Sequence, residues 1–348
     1  MRNTLILNIL LVCSVAVSCS EWTTPESLEF EKNSIQQMDP ELYRQYCESV
    51  KSYKETDHKI MYVTFDNVEK ISNGSHKIAM LPDSVDYVQL HNIEVDENTL
   101  KEINAMREKF GTKFVLRFSY NECLEAYETL QPAAEGEGET EGETEGETPE
   151  VELPTFEEYL NAEFAKVTAK VAEYGLDGFT FAFICGNPYE MTTSDRSALE
   201  QAQQMAFPQV AEWIGANADK KFFFEGYPHY ILVDGVVSAA EYVILPTRSE
   251  RATGDLAYRA LQAVNSGKVS KHTRFLFAVE TPSFIEEEYL VGNFVLGEQI
   301  PLASEWITTD ASFEKSGLAV WNVQRDYFDT KKIYSTVRRA IKTMNPNE

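Results

Sequence analysis

The stretch Tyr174-Gly-Leu-Asp-Gly-Phe-Thr-Phe-Ala-Phe-Ile184 decides the fold class. Thr180, Ala182 and Ile184 alternate with Phe179, Phe181 and Phe183, the two-residue repeat of a β-strand. Uncharged, mostly apolar residues on both faces predict a strand covered on both sides, as in parallel α/β sheets. Short apolar or aromatic runs bounded by turn residues recur at 59–65, 85–90, 113–118, 221–225, 241–245, 274–279 and 317–321, and each reads as a strand.

Between these runs the apolar period lengthens to that of a helix. The pattern predicts helices at 98–110, 156–174, 198–216, 256–264, 284–291 and 331–344, with Pro208 kinking or dividing the third of them. Only the first crossover, 67–82, carries little helical pattern. Strands and helices in this alternation predict an α/β fold, a (β/α)8 TIM barrel over residues 56–348. An open doubly wound sheet is the alternative.

The termini and insertions are set apart by composition. Arg2 precedes an apolar run from Leu5 to Val17 that is too short to span a bilayer, so residues 1–18 read as a signal peptide. Ala16-Val-Ser-Cys19 follows and resembles a bacterial lipobox, with alanine where a leucine is usual. Cys19 is then the lipidated residue, residues 19–55 a polar tether, and the mature protein an outer-membrane lipoprotein of a Gram-negative cell. Residues 133–153 repeat Glu-Gly-Glu-Thr without one basic side chain, a composition that cannot bury a core and predicts a disordered insertion.

Bulk charge excludes some partners. Thirty-one basic against 56 acidic residues leave a formal charge of −25, which argues against nucleic acid and anionic membranes as ligands of a basic surface. Beyond Cys13 and Cys19, only Cys47, Cys123 and Cys185 remain. Their isolation predicts neither a metal site nor a disulfide framework, and no motif calls for a cofactor.

The strand at 177–184 resembles the fourth barrel strand of family 18 glycoside hydrolases, the chitinases and endo-β-N-acetylglucosaminidases, whose signature is D-G-x-D-x-D-x-E. Asp177 and Gly178 match its opening, while its last three acids fall on Thr180, Ala182 and Ile184. The resemblance implies that Ile184 stands at the position of the proton donor and Ala182 at that of the residue orienting the substrate's acetamide. Neither side chain can give a proton. Gly317-Leu-Ala-Val-Trp-Asn322 is similar to the family's eighth strand, which implies Trp321 as the floor beneath a sugar ring. The chain looks like the family 18-like lipoproteins of Bacteroidetes glycan-utilisation systems, which implies a glycan partner and glycan-import partners at the outer membrane.

The expected function is therefore capture of N-acetylglucosamine-containing glycans without cleavage. Candidate ligand contacts at strand ends are Trp321, Tyr120, Asn187, Tyr189, Glu225, Tyr227, Glu280 and Asn322, since sugars need aromatic faces flanked by polar edges. The alternative is an active endo-acting hydrolase whose acids have moved to Glu225 and Glu280, at the ends of the fifth and seventh strands. A partner-binding scaffold is the third possibility.

Overall fold

The structure of the protein, a computed structural model, describes residues 39–130, 153–328 and 332–346. The signal segment, Cys19 and residues 133–152 of the acidic insertion lie outside the described residues. Residues 48–348 form one compact unit; of the chain before it, only residues 39–47 are described. Among the described residues no helix is long and apolar enough to cross a membrane.

Eight strands close into a parallel barrel: β1 Ile60–Phe65, β2 Tyr87–Leu90, β3 Lys113–Ser119, β4 Gly178–Ala182, β5 Lys221–Glu225, β6 Tyr242–Leu245, β7 Phe275–Glu280 and β10 Lys315–Trp321. Their order is β1-β10-β7-β6-β5-β4-β3-β2, with every barrel pair parallel. The open sheet is thereby excluded. A short antiparallel hairpin, β8 Asn293–Phe294 and β9 Gly297–Glu298, interrupts the β7-to-β10 connection.

Helices follow or precede most strands: α1 Pro40–Lys54, α2 Glu97–Phe110, α3 Tyr120–Leu130, α4 Phe156–Glu173, α5 Thr193–Ala216, α6 Thr253–Asn265, α7 Gln299–Ile307 and α8 Ser335–Met344. Three expectations are corrected here. The segment read as tether contains α1. Helix α5 runs through Pro208 as one element. The stretch 284–291 is not a helix and holds only a 3-10 turn, Glu286–Glu288, with Phe284 and Tyr289 projecting into solvent. The wall behind β7 is built by α7 instead, which buries Ile300, Ala303 and Ile307; Pro301 is tolerated there because first-turn N–H groups lack intrahelical partners. The weak first crossover is two 3-10 turns, Gly74–His76 and Ile78–Met80.

Alternation sorts the side chains into two cores. Phe179, Phe181, Phe222, Phe224, Phe275 and Phe277 point outward and pack under the helices. Tyr62, Tyr87, Val115, Phe223, Tyr242, Ile244, Leu276, Ala278, Ala319 and Trp321 fill the barrel interior, as the layered interior of such barrels requires. Gly178 is obligatory for closure. A Cβ there would lie 1.8 Å from the Lys221 carbonyl oxygen. Its neighbour Asp177 accepts from the Phe114 amide at 2.8 Å and from Arg107 at 3.3 Å. The Asp-Gly pair that opens β4 therefore ties strands together and does not face a ligand.

Candidate functional site

Inward-facing residues change character from the barrel's middle to its C-terminal mouth. In the middle, the Tyr62 hydroxyl donates to Gln89 Oε1 at 2.6 Å and accepts from the Thr180 hydroxyl at 2.8 Å. Thr180 is fully enclosed, so the position that carries the first of the three acids in the family resemblance is part of a closed polar layer. Arg117 lies beside Thr180 in the β3–β4 register, and Glu225 beside Ala182 in the β4–β5 register. Arg117 Nε donates to Glu225 Oε2 at 2.8 Å. Burial alone would lower the Arg117 pKa, but the charges of Glu225 and Glu122 outweigh it and the net direction is upward. Glu225 Oε1 has no hydrogen-bond partner, and the side chain has no exposed surface.

This placement corrects the expectation that Glu225 meets a ligand or serves as a relocated acid. It sits beneath the mouth with Arg117 and presents nothing to the cleft. Tyr120 is corrected as well. It opens α3 and packs its ring on Phe183 and Phe156, with centroids at 4.8 and 5.6 Å, in the core outside the barrel.

The cleft proper lies over β4 to β7. About 540 Å³ of space is lined by Ile184, Tyr227, Pro246, Arg248, Glu280, Leu290 and neighbouring residues, a volume suited to a sugar-sized ligand. Ile184, the position of the proton donor in the family resemblance, is on this wall and half-buried. Its backbone is pinned from both sides. The Ile184 amide donates to Asn121 Oδ1 at 3.0 Å, and Asn121 Nδ2 donates to the Ile184 carbonyl at 2.9 Å.

Opposite, Glu280 ends β7 in register with Trp321 of β10. Its carboxylate accepts from Asn322 Nδ2 at 2.6 Å and Arg325 at 3.2 Å, and Arg248 approaches to 3.5 Å. Asn322 holds a left-handed backbone, φ 55°, which asparagine accepts more readily than most residues. Trp321 is 8% exposed, and the Arg248 guanidinium stands 5.1 Å above its ring. The expected sugar platform is thus covered by a cation in this state. Tyr227 also lines the cleft. Its hydroxyl donates to the Pro246 carbonyl at 3.0 Å, Arg259 lies over its ring, and burial pushes the phenol pKa up.

Asn187 and Tyr189 occupy the loop beyond β4. Asn187 Nδ2 donates to Glu190 at 2.8 Å and its Oδ1 accepts from the Tyr189 amide. Tyr189 is 71% exposed with Arg196 over its ring. The fold therefore brings Ile184, Tyr227 and Glu280 to one cleft, with Trp321 and Asn322 attached through Arg248 and Glu280. The sequence reading missed Arg248, Arg251 and the tying role of Asn121. Arg248 follows β6 by three residues, and the strand-end rule would have found it had cations been sought alongside acids and aromatics.

A second hollow of about 560 Å³ opens at the N-terminal end of the barrel, lined by Lys54, His58, Asp86 and Arg274 among others. Its charges already serve one another: His58 Nε2 lies 2.9 Å from Asp86, and Lys54 donates to the Val85 carbonyl and Thr112. That end of a barrel ordinarily carries stability.

One buried group behind the cleft titrates abnormally. His229 packs between Tyr227 and Tyr230 with neither ring nitrogen hydrogen-bonded. Burial first, and the charge of Arg259 second, push its pKa down from 6.5 to about 4. The folded state therefore binds fewer protons than the unfolded state between these values, so stability falls as pH drops from about 6.5 to about 4. Urea midpoints measured across that window should decline, and His229→Phe should flatten the decline.

The profile of glycoside hydrolase family 18, BT1044-like, matches residues 23–343. No curated protein matches the chain. Among solved structures, a selenomethionine form of BT1044 carrying a glutamate-to-glutamine substitution superposes with a TM-score of 0.59 at 16% identity, over 89% of this chain and 95% of that one. A group II chitinase catalytic domain of Ostrinia furnacalis, in complex with an N-acetylchitooligosaccharide, is similar at a TM-score of 0.49 and 10% identity, over 84% and 97% of the two chains. Human YKL-39, described as a pseudo-chitinase with retained chitooligosaccharide binding, reaches 0.45 at 9% identity, over 82% and 99%.

Proposed function

The chain belongs to glycoside hydrolase family 18, BT1044-like, and from that premise we propose that it captures N-acetylglucosamine-containing glycans without cleaving them. The observation that carries this reading is the wall of the cleft at the end of β4. A hydrocarbon side chain, Ile184, lines the space where the family signature has a glutamic acid. Below it, Ala182 is fully buried and Thr180 is committed to Tyr62. General acid catalysis requires a proton within reach of the leaving oxygen, and none of these three supplies it. Glu280, the cleft's carboxylate, is held by Asn322 and Arg325, which suits orientation of a ligand and not proton delivery. The export segment and Cys19 support a lipid-anchored protein of the outer membrane, facing host or dietary glycans.

Calorimetry against N-glycans and chitooligosaccharides, run beside a product-release assay, tests the reading. Binding without release is the expected result. Turnover on the order of 1 s⁻¹ or faster, the ordinary enzyme range, overturns it, as does absence of binding by folded protein.

A further inference from the structure

The geometry points to a glycan bearing an acidic substituent, a carboxylate or a sulfate ester, as the ligand class of this cleft, with Arg248 as the group that reads it. The inference deepens the glycan-capture reading and rests on it. A chain with a formal charge of −25 should repel an anionic sugar on average. Its cleft departs from that average. Arg248 and Arg251 line it with a single carboxylate, Glu280, and a third arginine, Arg325, already holds that carboxylate at 3.2 Å.

The three cations are not equivalent. Arg325 also donates to the Thr281 carbonyl, and Arg251 donates to the carbonyls of Leu290 and Asn293. Among the described residues, Arg248 reaches only Glu280, at 3.5 Å, and the Trp321 ring. Its side chain is 37% exposed. A guanidinium carries five N–H donors in a planar fork that matches carboxylate or sulfate oxygens two at a time. The Trp321 ring beneath it, 5.1 Å away, and Glu280 beside it restrain the side chain, so less freedom is left to lose on binding.

A neutral ring seeking the Trp321 face would have to displace this cation or cover it, and taking a partly solvated charge out of water is costly. An anionic substituent turns the same feature into a charge-assisted contact. The sugar bearing it would lie against Tyr227 and Ile184, with Glu280 and Asn322 free to turn only as a bonded pair.

The test uses the full chain and matched ligands: a neutral N-acetylglucosamine oligosaccharide, its sulfated form, and a form carrying a uronic or sialic acid. The acidic forms should bind about tenfold more tightly or better, the worth of one charge-assisted hydrogen-bonded contact. The sulfate and carboxylate arms identify which anion is read. Arg248→Gln should erase the difference between acidic and neutral ligands, and added salt should weaken the acidic ones selectively, which tests the same point without a variant. Equal affinity for neutral and acidic forms overturns the inference and leaves glycan capture standing. No binding to any of them overturns both.

Discussion

Glu225→Ala is expected to cost about 3–5 kcal/mol of folding stability, because truncating one partner strands the other charge inside the barrel. The carboxylate is enclosed completely, and Arg117 is only 14% exposed. After truncation Arg117 keeps Glu122, which is 64% exposed and lies on the solvent side, so the inner half of the guanidinium loses its acceptor. Urea unfolding at neutral pH measures the loss. Replacing both members together, Arg117→Met with Glu225→Leu, should recover most of it, since an apolar pair of similar size often matches a buried ion pair. A loss under about 0.5 kcal/mol, within the range of ordinary surface substitutions, would contradict the placement. The same experiment separates structure from chemistry: a relocated catalytic acid would leave a stable protein that had lost turnover.

Restoring the family's acids should damage the protein without reviving it. The triple variant Thr180→Asp, Ala182→Asp, Ile184→Glu is expected to lose on the order of 5 kcal/mol or more, a large part of a typical domain's stability. Thr180 faces the Tyr62 hydroxyl, and a carboxylate there would be enclosed with a phenol and Gln89. Ala182 lies in register with Glu225, so an aspartate would set a second buried acid beside the first. Like charges in one enclosed site cannot both ionise cheaply. Ile184→Glu alone should fold, since that side chain reaches the cleft, yet it should release no sugar because the orienting carboxylate remains absent. A stable triple variant that hydrolyses glycans would show that only the side chains, and not their surroundings, had been lost.

The barrel was legible because period-two and period-3.6 patterns report covered strands and one-sided helices directly. All eight barrel strands fall within two residues of their sequence limits. What misled was apolarity without burial. Residues 284–291 carry Phe284, Ile285, Tyr289 and Leu290 on a loop where each is exposed, and periodicity cannot tell an exposed rim from a packed helix. At the cleft, the strand-end rule pointed to Glu280 and Tyr227, which line it, and to Trp321 beneath Arg248, but it ranked residues by position and type. It had no access to depth, which separates enclosed Glu225 from cleft-lining Glu280. Nor could it foresee that Tyr120 would turn outward at the start of α3, or that Asn121 beside it would hold Ile184.

That asparagine clasp has a further consequence. Both of its contacts go to main-chain atoms, which every amino acid possesses alike. The loop beyond β4 keeps its course whichever side chain hangs from position 184, so the tip can be swapped from acidic to greasy at no cost to the path of the chain. An acid at this one position would thus find the backbone already in place, whereas acids at the two inner positions would meet the enclosed surroundings that Thr180 shares with Tyr62.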